Sequence, residues 1–385
     1  MICAWSRRLI WVVLFRRHRL EGTHALPTLS RPARILVFSG AVLGALAGVR
    51  PAAALTITPY FDSSIVGASD HAAVEGAINA AIGTIDSLYT NIGTVAIVFS
   101  QANGSFLGES NTADYTASYA NYTAALTAAS QSQPSNTILA TAIANLSSGN
   151  KPGNGGLVFL TSADARVALG ALNATGCFNS SGAYVGGCGQ TYDGVVTLTD
   201  NPGYSLNYGT TAVAGAYSMI DAAEHEIDEI LGGGGQGSVL NAVAVCTNNP
   251  TANTSPTLAQ CIANSNYAND VGVLDLYRYS APGTKSFSTS SGATSYFSVN
   301  GGVTDIVGFN QSSSGDFADF GTNNNVQSAF SNSGIVATYN TDSPEYAMLE
   351  SIGYNGVPEP ASMLVFTSGL AGLRLARRRG RKIVQ

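Results

Sequence analysis

Residues 211–235 read TAVAGAYSMIDAAEHEIDEILGGGG, a stretch that combines apolar residues at helical spacing with a cluster of ionisable ones. The spacing predicts a long buried helix from about Thr211 to Leu231. The glycines that follow predict an abrupt end at Gly232. Five ionisable residues cluster in the last two turns of this helix, namely Glu224, His225, Glu226, Asp228 and Glu229.

The distribution of charge along the chain makes this cluster unusual. The 385 residues include 18 Lys and Arg and 24 Asp and Glu, for a net charge of −6. Fourteen of the basic residues lie before Leu55 or after Leu373, so 18 − 14 = 4 remain in residues 55–357. That body contains 24 − 2 = 22 acidic residues, and its formal charge is therefore 4 − 22 = −18. Such a surface repels phosphate backbones, which excludes nucleic acid as a partner.

Composition and periodicity together predict the fold class. The chain is 45% apolar and 11% charged, with 43 glycines, which excludes a disordered polyelectrolyte and a coiled coil. Strands alternate with helices at first, and short strand-like pieces follow Gly235, so we predict an α+β fold with a loop- and strand-rich C-terminal half. The predicted strands are 94–100, 156–162, 192–199, 295–299 and 305–309, and the predicted helices are 70–89, 114–129, 135–146, 163–172 and 211–231.

The acidic cluster on the long helix predicts a metal site. Buried carboxylates require a cationic partner, and with only four basic residues in the body a metal ion is a better candidate than a salt bridge. His225 and Glu229 are four residues apart, so both project from one helix face and can hold one divalent ion. Glu226 is rotated by about 100° from His225, which suits it to act as a general base on water beside the metal. The alternative is an amphipathic helix with a solvated acidic face.

Three segments carry a resemblance to known families. HEIDEILG (225–232) is similar to the HExxHxxGxxH motif of metzincins, a group of zincin metallopeptidases, with Glu229 in place of the second histidine. Together with DLYRYSAPG (275–283) and SIGY (351–354), it resembles a group of exported bacterial metallopeptidases over roughly residues 60–355. The resemblance implies a zincin-like mixed sheet with an active-site helix and a zinc-dependent endopeptidase acting on polypeptides. An inactive metallopeptidase fold is the alternative.

The departures from the metzincin pattern concern the third metal ligand. Gly235 occupies the position of the third histidine, and residues 55–357 contain only two histidines, so a three-histidine zinc site is excluded. We expect Asp275 as the third ligand, because DLYRY follows the glycine turn at a distance that lets the chain return to the site. Asp270 and His71 are the reserves, although His71 also suits the first turn of its own helix.

Two further expectations concern catalysis and a rival function. Tyr277 or Tyr279 is expected to stabilise the oxyanion of a scissile peptide bond. The rival to a peptidase is a non-catalytic envelope or biofilm-matrix protein that binds Ca²⁺ through DFADFGTNNN (316–325) and NSNYANDVGVLD (264–275). These segments offer hard oxygen ligands, but neither matches an EF-hand or an RTX repeat. Ordinary turn chemistry is the alternative for both.

The two basic ends of the chain predict export. Residues 1–54 form a leader and signal peptide, in which Arg31 and Arg34 precede an apolar stretch that small residues follow, and we expect signal peptidase to cut after Ala54. The apolar stretch is shorter than the ~20 residues of a spanning helix, although a membrane anchor is the alternative. Four cysteines follow in the body, which favours disulfides pairing Cys177 with Cys188 and Cys246 with Cys261.

The tail, residues 356–385, contains VPEPASMLVFTSGLAGLRLARRRGRK (357–382). This segment resembles the PEP-CTERM sorting signal, with a Pro-Glu-Pro signature, a short apolar segment and an arginine cluster that would stay on the cytoplasmic side. The resemblance implies a transient membrane helix, cleavage by an exosortase near Pro-Glu-Pro, and a location at or beyond the surface of a Gram-negative cell. A permanent C-terminal anchor is the alternative. Residues 55–355 between the two ends are expected to form the metallopeptidase-like domain.

Overall fold

A computed structural model of the chain describes residues 55–90, 93–146, 156–170, 176–178, 184–186, 192–241, 271–322 and 324–357. All of them belong to one structural unit, Ala52–Gln385. The predicted signal peptide, the sorting tail beyond Val357, Asp270 and the side chains of the four body cysteines lie outside the described residues. Within the described part, no helix combines the length and the apolar character needed to cross a membrane.

The elements alternate between strand and helix up to Leu231 and then become short and mostly extended. In chain order the first group is β1 (Leu55–Phe61), α1 (Ser63–Val66), α2 (His71–Leu88), β2 (Gly93–Ala102), β3 (Gly108–Thr112), β4 (Asp114–Ser118), α3 (Tyr119–Ser132), α4 (Thr137–Asn145), β5 (Leu157–Thr161), α5 (Ser162–Leu169), β6 (Gly176–Phe178), β7 (Tyr184–Gly186) and β8 (Gly194–Thr199). The second group is β9 (Leu206–Asn207), β10 (Tyr217–Ser218), α6 (Met219–Leu231), β11 (Val271–Gly272), β12 (Arg278–Ala281), β13 (Thr284–Lys285), β14 (Tyr296–Phe297), β15 (Val307–Gly308) and α7 (Pro344–Ser351), with 3₁₀ turns at Gly235–Gly237 and Val273–Tyr277.

The main sheet has the strand order β1-β2-β8-β3. Strands β1, β2 and β8 are parallel, and β3 runs antiparallel to β8 at the edge. Strand β2 is apolar on both faces, with Val95, Ile97, Val98 and Phe99 all buried, as expected for a central strand covered on both sides. A second sheet has the order β11-β5-β4, and the C-terminal half contributes the antiparallel sheet β13-β12-β14-β15. These helices and mixed sheets confirm the predicted α+β fold.

Helix α6 begins and ends where its sequence provides caps. The Ser218 side chain accepts a hydrogen bond from the Asp221 N–H at 3.1 Å, the arrangement of an N-cap. At the other end Gly232 adopts a left-handed φ of 103°, and the Gly233 N–H donates to the Asp228 carbonyl at 2.7 Å. The predicted stop at Gly232 is therefore confirmed. The predicted start near Thr211 is wrong, because Gly215 has a φ of 77° that breaks a helix before Met219.

Most other predicted elements are present with shifted ends. In α2 the buried residues are Val74, Ala77, Ile78, Ala81, Ile82, Ile85 and Leu88, and the helix begins at His71. The predicted helix 114–129 is wrong over its first five residues, because Asp114–Ser118 pairs antiparallel with β5. Tertiary pairing thus overrides the helical propensity of this alanine-rich segment.

Candidate metal centre

Helix α6 is buried on nearly every side, and its acidic residues are buried with it. It packs against α2 and against β3 and β8 of the main sheet. Glu224, Glu226, Asp228 and Glu229 are 3%, 5%, 0% and 7% exposed. The alternative of a solvated acidic face is therefore wrong, and these carboxylates need partners within the protein.

His225 is oriented by a backbone carbonyl. Its Nδ1 lies 3.0 Å from the carbonyl oxygen of Val326, and because a carbonyl only accepts, Nδ1 is the donor. The other nitrogen, Nε2, lies 3.3 Å from Glu229 Oε1, 3.7 Å from Asp319 Oδ2 and 3.3 Å from the side-chain amide nitrogen of Gln327. Metal-binding histidines have this arrangement, in which one ring nitrogen donates to a carbonyl and the other faces the ion.

Residues of the edge strand β3 contact Glu226 and Glu229 of α6. Ser110 Oγ donates to Glu229 Oε2 at 2.5 Å. Gly108 lies so close to Glu226 that a Cβ built on it would be 2.5 Å from Glu226 Oε1. The other carboxylate oxygen, Glu226 Oε2, is buried and makes no hydrogen bond. Glu226 is therefore held in position by packing and keeps one oxygen free for an incoming donor.

Asp319 is the residue that sequence reasoning did not assign to this site. It lies in the loop after β15, is 3% exposed, and its Oδ1 accepts hydrogen bonds from the Gly235 N–H at 2.8 Å and from Gln327 Nε2 at 3.1 Å. Asp316 on the same loop also lies near Glu229, since ligand atoms of Glu229, Asp316 and Asp319 lie within 4.8 Å of one another. Ligand atoms of His225, Glu226 and Glu229 meet the same limit.

The signal for Asp319 was present in the sequence, because DFADFGTNNN is the segment considered above for Ca²⁺ binding. Its sequence alone does not connect it with α6, which lies about 90 positions upstream, since 319 − 229 = 90. The connection is made by Arg278, which is 1% exposed and donates to the carbonyls of Phe317 and Asn310. The Arg278 guanidinium also lies 4.5 Å from the ring centre of Phe309. The DLYRY segment thus holds the loop that carries Asp319.

The structure does not bring Asp275 to the cluster. Asp275 is fully buried, and its Oδ1 accepts from Ser238 Oγ at 2.6 Å, while Oδ2 accepts from the Val239 and Gly272 N–H groups at 2.8 and 3.0 Å. Both oxygens are thus engaged in tying two backbone segments together. The expected return of DLYRY to the site is made by Arg278 instead, which is a correction to the prediction.

The tyrosines and the remaining histidine are also placed elsewhere. Tyr277 is buried and donates to the Ser351 carbonyl at 2.7 Å, and the ring of Tyr279 lies under the Lys285 ammonium at 3.8 Å. Neither tyrosine lines the cleft described below, so the predicted oxyanion role has no support from their positions. His71 is the exposed first residue of α2 and contacts the Ala68 carbonyl, as its helix-start alternative predicted.

The charges of the cluster shift one another's proton affinities. Burial lowers the pKa of His225, but the carboxylates of Asp319, Glu229 and Glu226 outweigh it and hold that pKa well above 6.5. Burial and then the charge of Glu229 raise the pKa of Glu226 well above 4.5. Burial likewise raises the pKa of Asp319 to about 7, although His225 opposes the shift. The carboxyl groups therefore repel one another, and a divalent cation between them would relieve that repulsion.

The chain's own cations are engaged away from this cluster. The described part of the body contains three Lys or Arg residues. Arg166 forms an ion pair with Asp193 at 2.6 Å, Arg278 holds two carbonyls, and Lys285 donates to the Leu276 carbonyl. Within the described residues the carboxylates around His225 thus have no Lys or Arg partner.

A cleft of about 430 Å³ opens onto the cluster. Its lining comes from residues 105–110, from the face of α6 that carries His225, from Tyr204 and Tyr217, and from parts of 314–331. His225, Glu226, Glu229, Asp316 and Asp319 all line it. The cluster is therefore accessible to a ligand of several residues, although the acidic side chains on α6 are buried.

Comparison with known proteins identifies the tail. Residues 356–382 match the PEP-CTERM protein-sorting motif. The protein is exported. The motif marks a chain that exosortase recognises, that is held transiently by its C-terminal tail, and that is sorted to the cell surface. Neither the curated proteins nor the solved structures give a match to the chain.

The matched segment begins inside the folded body. The Gly356 N–H donates to Glu350 Oε1 at 3.2 Å, and the Val357 N–H donates to the Leu88 carbonyl at 2.8 Å. Gly356 also forms a β-bridge with Tyr89. The first two residues of the sorting motif, Gly356 and Val357, therefore belong to the folded body.

Proposed function

We propose that the protein is an exported zinc-dependent endopeptidase, in which His225, Glu229 and Asp319 hold the metal and Glu226 is the general base. The supporting observation is that Glu229 Oε1 and Asp319 Oδ2 lie 3.3 and 3.7 Å from His225 Nε2, on the wall of a cleft. In this proposal Asp319 replaces Asp275 as the third ligand.

The donor set fits zinc. Imidazole nitrogen and carboxylate oxygen are both zinc ligands, and three protein ligands leave a position for water or substrate, as in catalytic zinc sites. The two carboxylates together balance the charge of a divalent ion. Each ligand is also oriented by a second group: His225 by the Val326 carbonyl, Glu229 by Ser110, and Asp319 by the Gly235 N–H. Such supporting contacts are typical of functional metal sites.

Zinc, when bound, supplies a Lewis acid that polarises a carbonyl and makes water more acidic. The protein's own contribution is Glu226, whose free Oε2 would accept a proton from the attacking water and return it to the leaving amine. Burial and the charge of Glu229 raise the pKa of Glu226, and a divalent cation held beside it would oppose that rise and favour the ionised form that accepts a proton. Ser110 stabilises the ionised form of Glu229 and so keeps that residue available as a ligand.

The test is Glu226→Gln in the full chain. Peptidase activity should fall by about 10²–10⁴-fold, while zinc stoichiometry, measured by elemental analysis after dialysis, stays unchanged. Glu224→Gln on the same helix is the matched control. Burial raises the pKa of Glu224 to about 8, so the amide resembles its protonated form, and Glu224 does not line the cleft. Full activity in Glu226→Gln would exclude the proposed base.

A second candidate is a non-catalytic envelope protein that binds Ca²⁺. The observation in its favour is the all-oxygen group of Glu229, Asp316 and Asp319, since calcium prefers oxygen ligands. Elemental analysis separates the two proposals. Retained zinc with calcium removed by dialysis supports the peptidase, whereas stoichiometric calcium with no zinc bound on addition supports the rival.

A further inference from the structure

We propose that the cleft selects polypeptide segments that carry Lys or Arg, so that the peptidase proposed above cuts beside cationic side chains. The cleavage part of this inference rests on the proposed function. The binding preference rests on the lining of the cleft alone, and it holds for a catalytic or a non-catalytic protein.

The charge of the cleft is the first argument. Among the described residues, its lining contains five carboxylates and one imidazole but no Lys or Arg. A divalent cation held by His225, Glu229 and Asp319 balances two of the carboxylates. Glu109 and Asp316 remain beside the buried Glu226, so the cleft is acidic with or without the ion. An acidic peptide side chain entering it would meet like charges at close range, which is unfavourable.

The remaining carboxylates are arranged to meet a donor. Glu109 is exposed on the edge strand β3. Asp316 is half-buried, and Asn241 Nδ2 fixes its Oδ1 at 2.7 Å. Glu226 is 5% exposed and its Oε2 has no hydrogen-bond partner. A buried carboxylate oxygen without a partner is uncommon in folded proteins, and it independently indicates a ligand that brings donors into the cleft.

Aromatic side chains supply the second half of a cation-binding surface. Phe106, Tyr204, Tyr217 and Phe330 line the same cleft, and Phe330 is 44% exposed. A guanidinium group stacks on aromatic faces while its N–H groups donate to carboxylates. A purely apolar ligand would use these rings but would desolvate the acidic groups without replacing their hydrogen bonds. Arginine, followed by lysine, is therefore the side chain that can contact both the aromatic rings and the carboxylates of the cleft.

The test compares two fluorescent peptides of equal length that differ only in bearing Arg or Glu at alternate positions. Binding is measured by anisotropy on the wild-type full chain freed of metal by a chelator, which retains Glu226, and kcat/KM is measured on the zinc-loaded wild type. We expect the Arg peptide to bind at least about tenfold more tightly. In Glu109→Lys that preference should fall by about fivefold. Asp305→Lys, an exposed site that does not line the cleft, makes the same charge change and should leave the preference intact.

The outcomes separate this inference from the proposed function. Selective binding of the Arg peptide with cleavage of neither peptide would reject the peptidase and support the cationic specificity. Equal binding of the two peptides would reject the specificity, whatever the activity. A preference that falls equally in Glu109→Lys and Asp305→Lys would also reject it, because it would then arise from the net charge of the body.

Discussion

Replacing Gly235 by alanine would place a methyl group against the carboxylate of Glu229. The Cβ would lie 2.5 Å from Glu229 Cδ and 2.6 and 2.8 Å from its two oxygens. Gly235 also has a φ of 46°, in the left-handed region that side chains disfavour. A side chain at residue 235 therefore requires the Glu229 carboxylate to move.

The expected losses of zinc affinity and of stability follow from these distances and from the backbone conformation. Ordinary contact begins at 3.4 Å, so the carboxylate has to retreat by about 0.9 Å, since 3.4 − 2.5 = 0.9. Metal–ligand distances tolerate about 0.2 Å, so we expect zinc affinity to fall by at least about 10–100-fold. The left-handed backbone adds a loss of about 1–2 kcal/mol in unfolding free energy, and overpacking adds about 1–3 kcal/mol.

The assay is a zinc titration against a competing chelator, paired with denaturant unfolding of the zinc-free protein. Gly215→Ala is the matched control, because Gly215 has a φ of 77° and a Cβ built on it meets nothing within 4 Å. That variant should lose only the stability that a left-handed backbone costs an alanine, and it should keep its zinc affinity. Wild-type zinc affinity in a folded Gly235→Ala protein would refute Glu229 as a ligand. A stability loss no larger than that of Gly215→Ala would refute the clash.

Two further predictions concern the buried carboxyls. Asp319→Asn should remove zinc from the dialysed protein, whereas Asp275→Asn should retain zinc and lower the unfolding free energy by about 1–3 kcal/mol; the reverse pattern would restore Asp275 as the ligand. Burial raises the pKa of Glu350 from 4.5 to about 7, so its contribution to stability is complete below pH 4.5 and is lost as the pH rises through 7. Glu350→Gln should therefore flatten the fall in Tm between about pH 5 and pH 8, and an unchanged slope would contradict the shift.

The local part of the site could be predicted from the sequence, and the distant part could not. His225, Glu226 and Glu229 are related by helical spacing, so their convergence follows from α6 alone. Asp319 lies near them because Arg278 and Gln327 hold its loop in place. No periodicity in the sequence indicates such a contact. DFADFG therefore suggested only an independent Ca²⁺ segment, although two of its carboxylates line the same cleft as α6.

The errors in the fold have the same origin. Asp114–Ser118 is extended because β5 is available to pair with it, and that pairing depends on a segment about 40 residues away, since 157 − 118 = 39. The false helix start near Thr211 arose from alternating alanines, whereas Gly215 and the Ser218 cap set the true start at Met219. Propensity was outweighed by pairing in one case and by backbone conformation in the other.

The use of Arg278 bears most directly on the metal proposal. Among the described residues it is the most deeply buried cation, and its guanidinium is engaged with two backbone carbonyls and the Phe309 ring. The carboxylates around His225 lie on the loop that Arg278 positions and on α6, yet none of them pairs with it. His225 can offset one of these charges through its contacts with Glu229 and Asp319, but one imidazolium leaves the cluster with an excess of buried negative charge, which is costly. A fold that directs its nearest arginine to position Asp319, rather than to neutralise it, is the arrangement expected when the neutralising charge comes from a divalent cation.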